Sequence, residues 1–361
     1  MKRLGLLILF LCCLPMSIFA ENIREEYQYD LYRARVIDLS EKTIYEEGQE
    51  TVVQEAEIII LNKEKKGEEA RITNTLTGDQ VYDMPLTEGA YITVHLENDS
   101  FYFISYDNTR PLIMLLLVFL ISLLVIGGLK GLKALIALIS TISLIIFVMI
   151  PLLLNGFSPI FASVLICGLA AVITFFIISG VNKKSFAATI GTIGGLILGG
   201  LIAYGFGAFA RLSGFSADDA TMLLYLPTAI DFDYRGLLFA GIIIGALGAA
   251  MDVAISIASA LSELQKENPN IPVKNLIASG FNIGRDIMGT MINTLVLAYI
   301  GGTITIMLLF VGFETPLFQI INLDFVATEI VRAVAGSIGL LFAIPITIFA
   351  YTTLTWHREE K

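Results

Sequence analysis

Seven stretches of this chain stay apolar long enough to cross a bilayer, and that limits the fold more than any other feature. They run approximately over Pro111–Leu129, Ala134–Leu154, Pro159–Ser179, Ala187–Phe209, Leu237–Ala260, Ile287–Phe310 and Ala333–Tyr351. A helix crossing the hydrocarbon core needs about 20 predominantly apolar residues. The 56% hydrophobic content and mean hydropathy of +0.78 put the chain in the membrane class. The expected fold is an α-helical integral membrane bundle of about seven transmembrane helices, preceded by a small all-β extracytoplasmic domain.

The segment ahead of the apolar runs has a different chemistry. From Glu21 to Arg110 there are 20 acids and 9 bases, whereas Pro111 to Lys361 holds 13 acids and 12 bases. The net charge of −10 therefore resides in the polar segment, which makes that segment unsuited to nucleic acid or anionic headgroups. Within it, ARVIDLS, QEAEIIILN, EARITNT, AYITVHLE and SFYFISYD are short and rich in β-branched and aromatic residues, with turn-like KEKKGEE and LENDS between. This pattern predicts antiparallel strands in a small barrel or sandwich, OB-like or SH3-like.

The first 20 residues carry Lys2 and Arg3, an apolar run from Leu4 to Leu14, and then PMSIFA. This reads as a secretory signal cut after Ala20, with an uncleaved anchor helix as the alternative. The domain plan is thus 1–20 signal, 21–109 extracytoplasmic β domain, 110–353 transmembrane helices and 354–361 cytoplasmic tail. After cleavage Cys167 would be the only cysteine left, which excludes an intrachain disulfide or a cysteine metal cluster. With only His95 and His357 present, no His-based zinc site is expected.

Loop charges set the orientation. Lys130 and Lys133, Lys183 and Lys184, Lys266 and Lys274, and Arg358 and Lys361 fall in alternate connections and the tail. The other loops hold only Arg211 and Arg235 among acids such as Asp218, Asp219, Asp231, Asp233, Glu314 and Asp324. The positive-inside rule assigns the basic loops and the carboxyl terminus to the cytoplasm, and the β domain to the outside. The stretch SADDATMLLYLP is expected to form a short interfacial or re-entrant helix capped by Ser216 or Asp218. Val273–Gly284 is expected to lie along the cytoplasmic surface.

Polar groups at membrane depth are costly, rare and usually face a bundle interior or an aqueous cavity. Asp252 sits roughly 22 Å along its helix from Leu237, counting ~1.5 Å per residue. Asn282, Arg285, Asp286, Thr290 and Asn293 cluster where the next run begins, and Asn293 should share the level of Asp252. Together with Ser256, these residues are candidates for a proton- or ion-linked pathway, since a sheltered carboxylate can load and release a proton. The bland alternative has Arg285 and Asp286 reaching headgroups while Asp252 makes one structural bond.

Of the 31 glycines, 26 lie at or beyond residue 111. In membranes, small residues let helix backbones approach closely. Gly191, Gly195 and Gly199 recur every fourth residue, and Gly241, Gly245 and Gly248 share a helical stripe with Asp252, Ser256 and Ser259. Both glycine sets are expected at helix contacts. Glu329 and Arg332 are expected to pair, Pro345 to kink the last run, and Tyr351 and Trp356 to anchor it at the interface.

GALGAAMDVAISIASALSEL followed by GFNIGRDIMGTMINTLVLAYIGG resembles the YibE/F family of bacterial multi-spanning membrane proteins. RGLLFAGIIIGALGAAMDVA and LSGFSADDATMLLYL are also similar, and the likeness covers about Arg110 to Tyr351. It implies a bacterial plasma-membrane protein with the layout above, for which a transport or permease role is presumed. Asp252, Ser256, Arg285, Asp286 and Asn293 all lie in the matching block.

Secondary transport is therefore the leading reading, and a membrane scaffold or sensor whose outer β domain binds a partner is the alternative. Enzyme activity is not expected: HExxH, Gly-x-Gly-Asp and Gly-x-Ser-Gly patterns are absent, as is a Gly-x-x-x-x-Gly-Lys nucleotide loop. No cofactor or metal is expected. The partners expected are the lipid bilayer and a second copy or another membrane protein, and not nucleic acid.

Overall fold

The computed structural model describes residues 30–46, 49–79, 81, 83–215, 221–225 and 232–356. The signal-like leader, the proposed caps Ser216 and Asp218, and the tail residues from His357 lie outside them. The described chain divides into two compact units, 30–126 and 127–356, so the first apolar stretch groups partly with the strands.

The first unit contains β1 (Leu31–Glu46), β2 (Gln49–Ile60), β3 (Glu69–Leu76), β4 (Tyr91–Glu97) and β5 (Ser100–Tyr106) in one antiparallel sheet ordered β3-β2-β1-β4-β5. β1 is long because it serves two neighbours. It pairs with β2 from Ala34–Ile60 to Glu46–Gln49, and with β4 from Leu31–His95 to Arg35–Tyr91. The outer strands β3 and β5 also pack on each other, so the sheet curls round on itself. Alternate positions point inward, as strand geometry requires: Tyr32, Ala34 and Val36 from β1, Ala56, Ile58 and Ile60 from β2, and Ile92 and Val94 from β4. Asn98 and Asp99, with φ of 47° and 61°, make the tight β4–β5 turn.

One polar residue enters this core. Gln54 is 1% exposed, and its amide is fully engaged. It accepts from the Leu86 backbone N–H at 2.7 Å and from Asn74 at 3.0 Å, and donates to Glu41 at 2.7 Å. Asp107 pairs with Arg33 at 2.6 Å and accepts from the Thr109 amide at 3.0 Å. Burial pulls its carboxyl upward, but the bonds from Thr109 and Arg33 outweigh that and hold it below the usual carboxylate range.

The helical part comprises α1 (Thr109–Leu144), a π-turn at Ile145–Met149, α2 (Ile150–Leu154), α3 (Pro159–Ser179), α4 (Lys183–Phe209), α5 (Tyr234–Glu267), α6 (Val273–Gly302), α7 (Ile304–Gly312), α8 (Leu317–Ile321) and α9 (Asp324–Trp356). Asn182 caps α4 by accepting from the Ser185 amide at 2.9 Å, and Asp233 caps α5 through the Gly236 amide at 2.8 Å. Val273 begins α6 itself, so the expected surface segment Val273–Gly284 is the first part of the α6 helix.

Among the described residues, five helical stretches are long and apolar enough to cross a membrane. A sixth candidate is α6 with α7, bent by 60°. The difference from seven arises at Gly128, whose φ of 53° and ψ of −133° break α1 without a loop. The first two apolar runs thus form one stretch, Thr109–Leu154, of 46 residues. At ~1.5 Å per residue that is roughly 69 Å of helix, about twice a hydrocarbon core.

In the second unit α3, α4, α5, α6 and α9 pack together, with α4 and α9 in the most extensive contact. Glycine makes that contact. A Cβ on Gly195 would lie 2.6 Å from the Gly339 carbonyl oxygen and 2.8 Å from the Ala343 Cβ. One on Gly199 would lie 3.0 Å from both the Ala335 oxygen and the Gly339 Cα, and one on Gly191 would strike Thr347. The centre of the bundle is apolar, with Ala171, Phe175, Ala254, Ile257, Leu261 and Ile348 all buried. α9 continues as one helix through Pro345. Tyr351, expected as an interfacial anchor, is buried and donates to Gln265 at 2.9 Å.

Candidate functional site

α5 has two opposed faces. Ala250, Val253, Ala254, Ile257, Ala258 and Leu261 are buried in the bundle. On the opposite side Gly241, Gly245, Gly248, Asp252 and Ser256 are exposed. The spacing does mark one stripe, but the stripe turns away from this chain's bundle. Gly241 and Gly248, expected at helix contacts, have open space where a side chain would be. The reason is bulk: the branched and alanine face offers more apolar surface to bury, so it takes the interior.

α6 repeats the arrangement. Leu276, Gly280 and Gly284 face inward, where a Cβ on Gly280 would lie 2.9 Å from Ile348. Asn282, Arg285, Asp286, Thr290 and Asn293 are all exposed. Arg285 donates to Asn282 at 3.2 Å, within its own helix, and does not meet Asp252. It also borders a groove of about 400 Å³ with Phe281, Met288, Phe342 and Pro345. Thr290 donates to the Ile287 carbonyl at 2.9 Å. Among the described residues Asp252, Asp286 and Asn293 have no hydrogen-bond or ion-pair partner.

The two stripes are neighbours. α5 and α6 pack against each other, and Met251 and Ile255 share an apolar cluster with Met288, Met291 and Ile292. The Tyr299 hydroxyl lies 2.8 Å from where a Cβ on Gly245 would be, which sets the pairing of the two antiparallel helices. The structure thus places Asp252 and Asn293 on exposed faces of two helices that pack against each other.

A second polar group is less legible in the sequence. Glu329 and Arg332 pair within α9 at 2.9 Å, as their spacing suggests. Near them, the Tyr299 hydroxyl and the Arg332 Nε are buried without a partner among the described residues. Thr303, at the α6–α7 bend, turns its hydroxyl back to the Ile300 carbonyl at 3.1 Å. Tyr299 sits just before Gly301 and Gly302 in an apolar run, and only that Gly-Gly pair hints that the helix ends there. Among the described residues no group of three or more His, Cys, Asp or Glu comes together.

The comparisons with known proteins fall on both regions. The family described as YibE/F-like protein matches residues 115–357, and the YibE/F family N-terminal domain matches residues 29–105. No curated protein and no solved structure matches the chain. The first match contains Asp252 and the α6 stripe, and the second contains all of the sheet except its last residue. The apolar helices and the family match together indicate a membrane protein. Matched over two thirds of its length by the one family and over its strands by that family's N-terminal domain, the chain belongs to the YibE/F family.

Proposed function

We propose that the protein is a multi-pass permease of the bacterial plasma membrane, a secondary transporter whose polar pathway runs along the outer faces of α5 and α6. In this reading the broken α1 supplies two crossings, for seven in all. The β domain lies outside and the carboxyl terminus lies in the cytoplasm, as the lysines and arginines of the loops direct. The chain is not an enzyme and needs no cofactor.

One observation carries the proposal. Asp252 lies deep in an apolar helix, exposed and without a partner among the described residues, and the neighbouring α6 exposes Asn293 as well. A bilayer does not tolerate such groups facing acyl chains. A water-lined path between α5, α6 and a covering surface resolves the conflict, and the glycines at 241 and 248 leave room for it. The cover we propose is a second copy of the chain, since a stripe that is small and polar suits an isologous contact.

Two measurements test this. In proteoliposomes carrying a pH-sensitive dye, an imposed sodium or potassium gradient drives proton movement that Asp252→Asn abolishes. If wild type and variant behave alike, the carboxylate has no part in a pathway. Disulfide trapping of Ser256→Cys in a cysteine-free background yields covalent dimers in membranes if a second copy covers the stripe, and monomers only if it does not.

A further inference from the structure

We infer that the space bordered by α6, α7, α8 and α9 binds a compact, mainly apolar molecule carrying one hydroxyl head, an aliphatic or aromatic alcohol. The inference is independent of transport, since it requires only binding.

The space exists because the helix breaks. α6 stops at Gly302, and α7 leaves at 60° from Ile304. The cavity between them and α9 holds about 330 Å³. Met307 and Phe310 form one wall, and Phe325, Ile330 and Ala333 the other. Of its lining only Tyr299, Thr303 and Glu329 are polar. An apolar pocket of a few hundred Å³ with a small number of placed polar groups is the usual form of a small-molecule site.

The polar groups select the head. Glu329 is 19% exposed at its side chain and gives Oε1 to Arg332. A carboxylate has about four acceptor positions, so capacity remains for a ligand donor. Arg332 already balances its charge, so the head need not be cationic. A buried hydrogen-bonding group without a partner is uncommon in a folded protein and calls for one. Here the Tyr299 hydroxyl and Arg332 Nε are two such groups beside the same carboxylate. A hydroxyl can donate to Glu329 and accept from Tyr299, the unsatisfied group that lines the space, while its hydrocarbon body fills the apolar walls.

The test uses the full chain in phosphatidylcholine nanodiscs and two photoprobes, a diazirine-bearing octanol and the same diazirine on octane. Peptide mapping after illumination should place the alcohol's adducts on α6 and α9 around the cavity. Labelling should exceed that of the hydrocarbon probe by about fivefold, the worth of one net hydrogen bond. Excess 1-octanol should protect those positions, and Ala333→Phe, which fills the space, should abolish the labelling at an unchanged melting temperature. Equal labelling by both probes, or no protection by 1-octanol, would mark an ordinary lipid-facing groove and overturn the proposal. These two arms need no variant, so they decide the matter even if Ala333→Phe fails to fold.

Discussion

The Tyr299 hydroxyl of α6 occupies the place where a side chain on Gly245 of α5 would have to be, 2.8 Å from that position, while the ring carbon bearing it is 3.9 Å away. The clash is therefore with the oxygen alone. Gly245→Ala should destabilise the protein, and adding Tyr299→Phe should return most of the loss. The coupling in a double-mutant cycle should be about 1 kcal/mol, within the usual span for residues in contact. Thermal melting of the four proteins in detergent measures it. Purely additive effects would mean that the two helices do not meet there.

The α4–α9 contact predicts a sharper contrast. Gly195→Ala forces a Cβ against the Gly339 carbonyl and should cost about 1–3 kcal/mol, as overpacking does. Gly205→Ala lies in the same helix with open space around it. It should leave the melting temperature unchanged or raise it slightly, because alanine is the better helix former.

In the strand unit, Gln54→Leu removes the acceptor of the buried Leu86 amide and one bond of Asn74. A buried donor without a partner costs about 1–3 kcal/mol. Hydrogen exchange on the intact protein should show faster exchange in peptides containing Leu86, with the helical peptides unaffected. Unaltered exchange would mean that Gln54 is not what fixes that segment.

Acid should loosen the same unit. Asp83 is held below its ordinary value of 3.8 chiefly by the backbone N–H of Thr77, with Gly78 adding to it, and Asp107 is lowered as described above. A carboxyl depressed in the folded state contributes stability above its unfolded value, and that contribution is lost as pH falls through the folded value. The strand unit should therefore hold its stability down to about pH 4 and lose it progressively below that. Asp107→Asn should be less stable at neutral pH and flatter below pH 4, as followed by the melting temperature across pH. A parallel shift of both curves would remove these carboxyls as the cause.

Much of this architecture is readable in the sequence, and the gaps have physical reasons. Every strand falls where alternation and β-branched residues put it, because one face of a curled sheet must be buried and the period of two declares which. The helical stripes are also legible, but not their direction. Gly191, Gly195 and Gly199 turn toward α9 while Gly241 and Gly248 turn outward, although both sets recur at helical spacing. Periodicity tells which residues share a face; the bulk on the opposite face decides which side enters the bundle. The break at Thr303 is hidden because glycine is common in membrane helices and the run Ile287–Phe310 is apolar throughout. Tyr299 is silent in the sequence for a related reason: its role depends on Gly245, which lies 54 residues away.

The meshing of Gly195 and Gly199 with Gly339 has a mechanical corollary. Backbone locked against backbone cannot slide without first separating, so α4 and α9 behave as one rigid strut. Any gating this protein performs has to be taken up elsewhere. The corner between α6 and α7 suits it, because a side chain at Gly301 or Gly302 would meet no neighbour, so side-chain packing does not pin that corner.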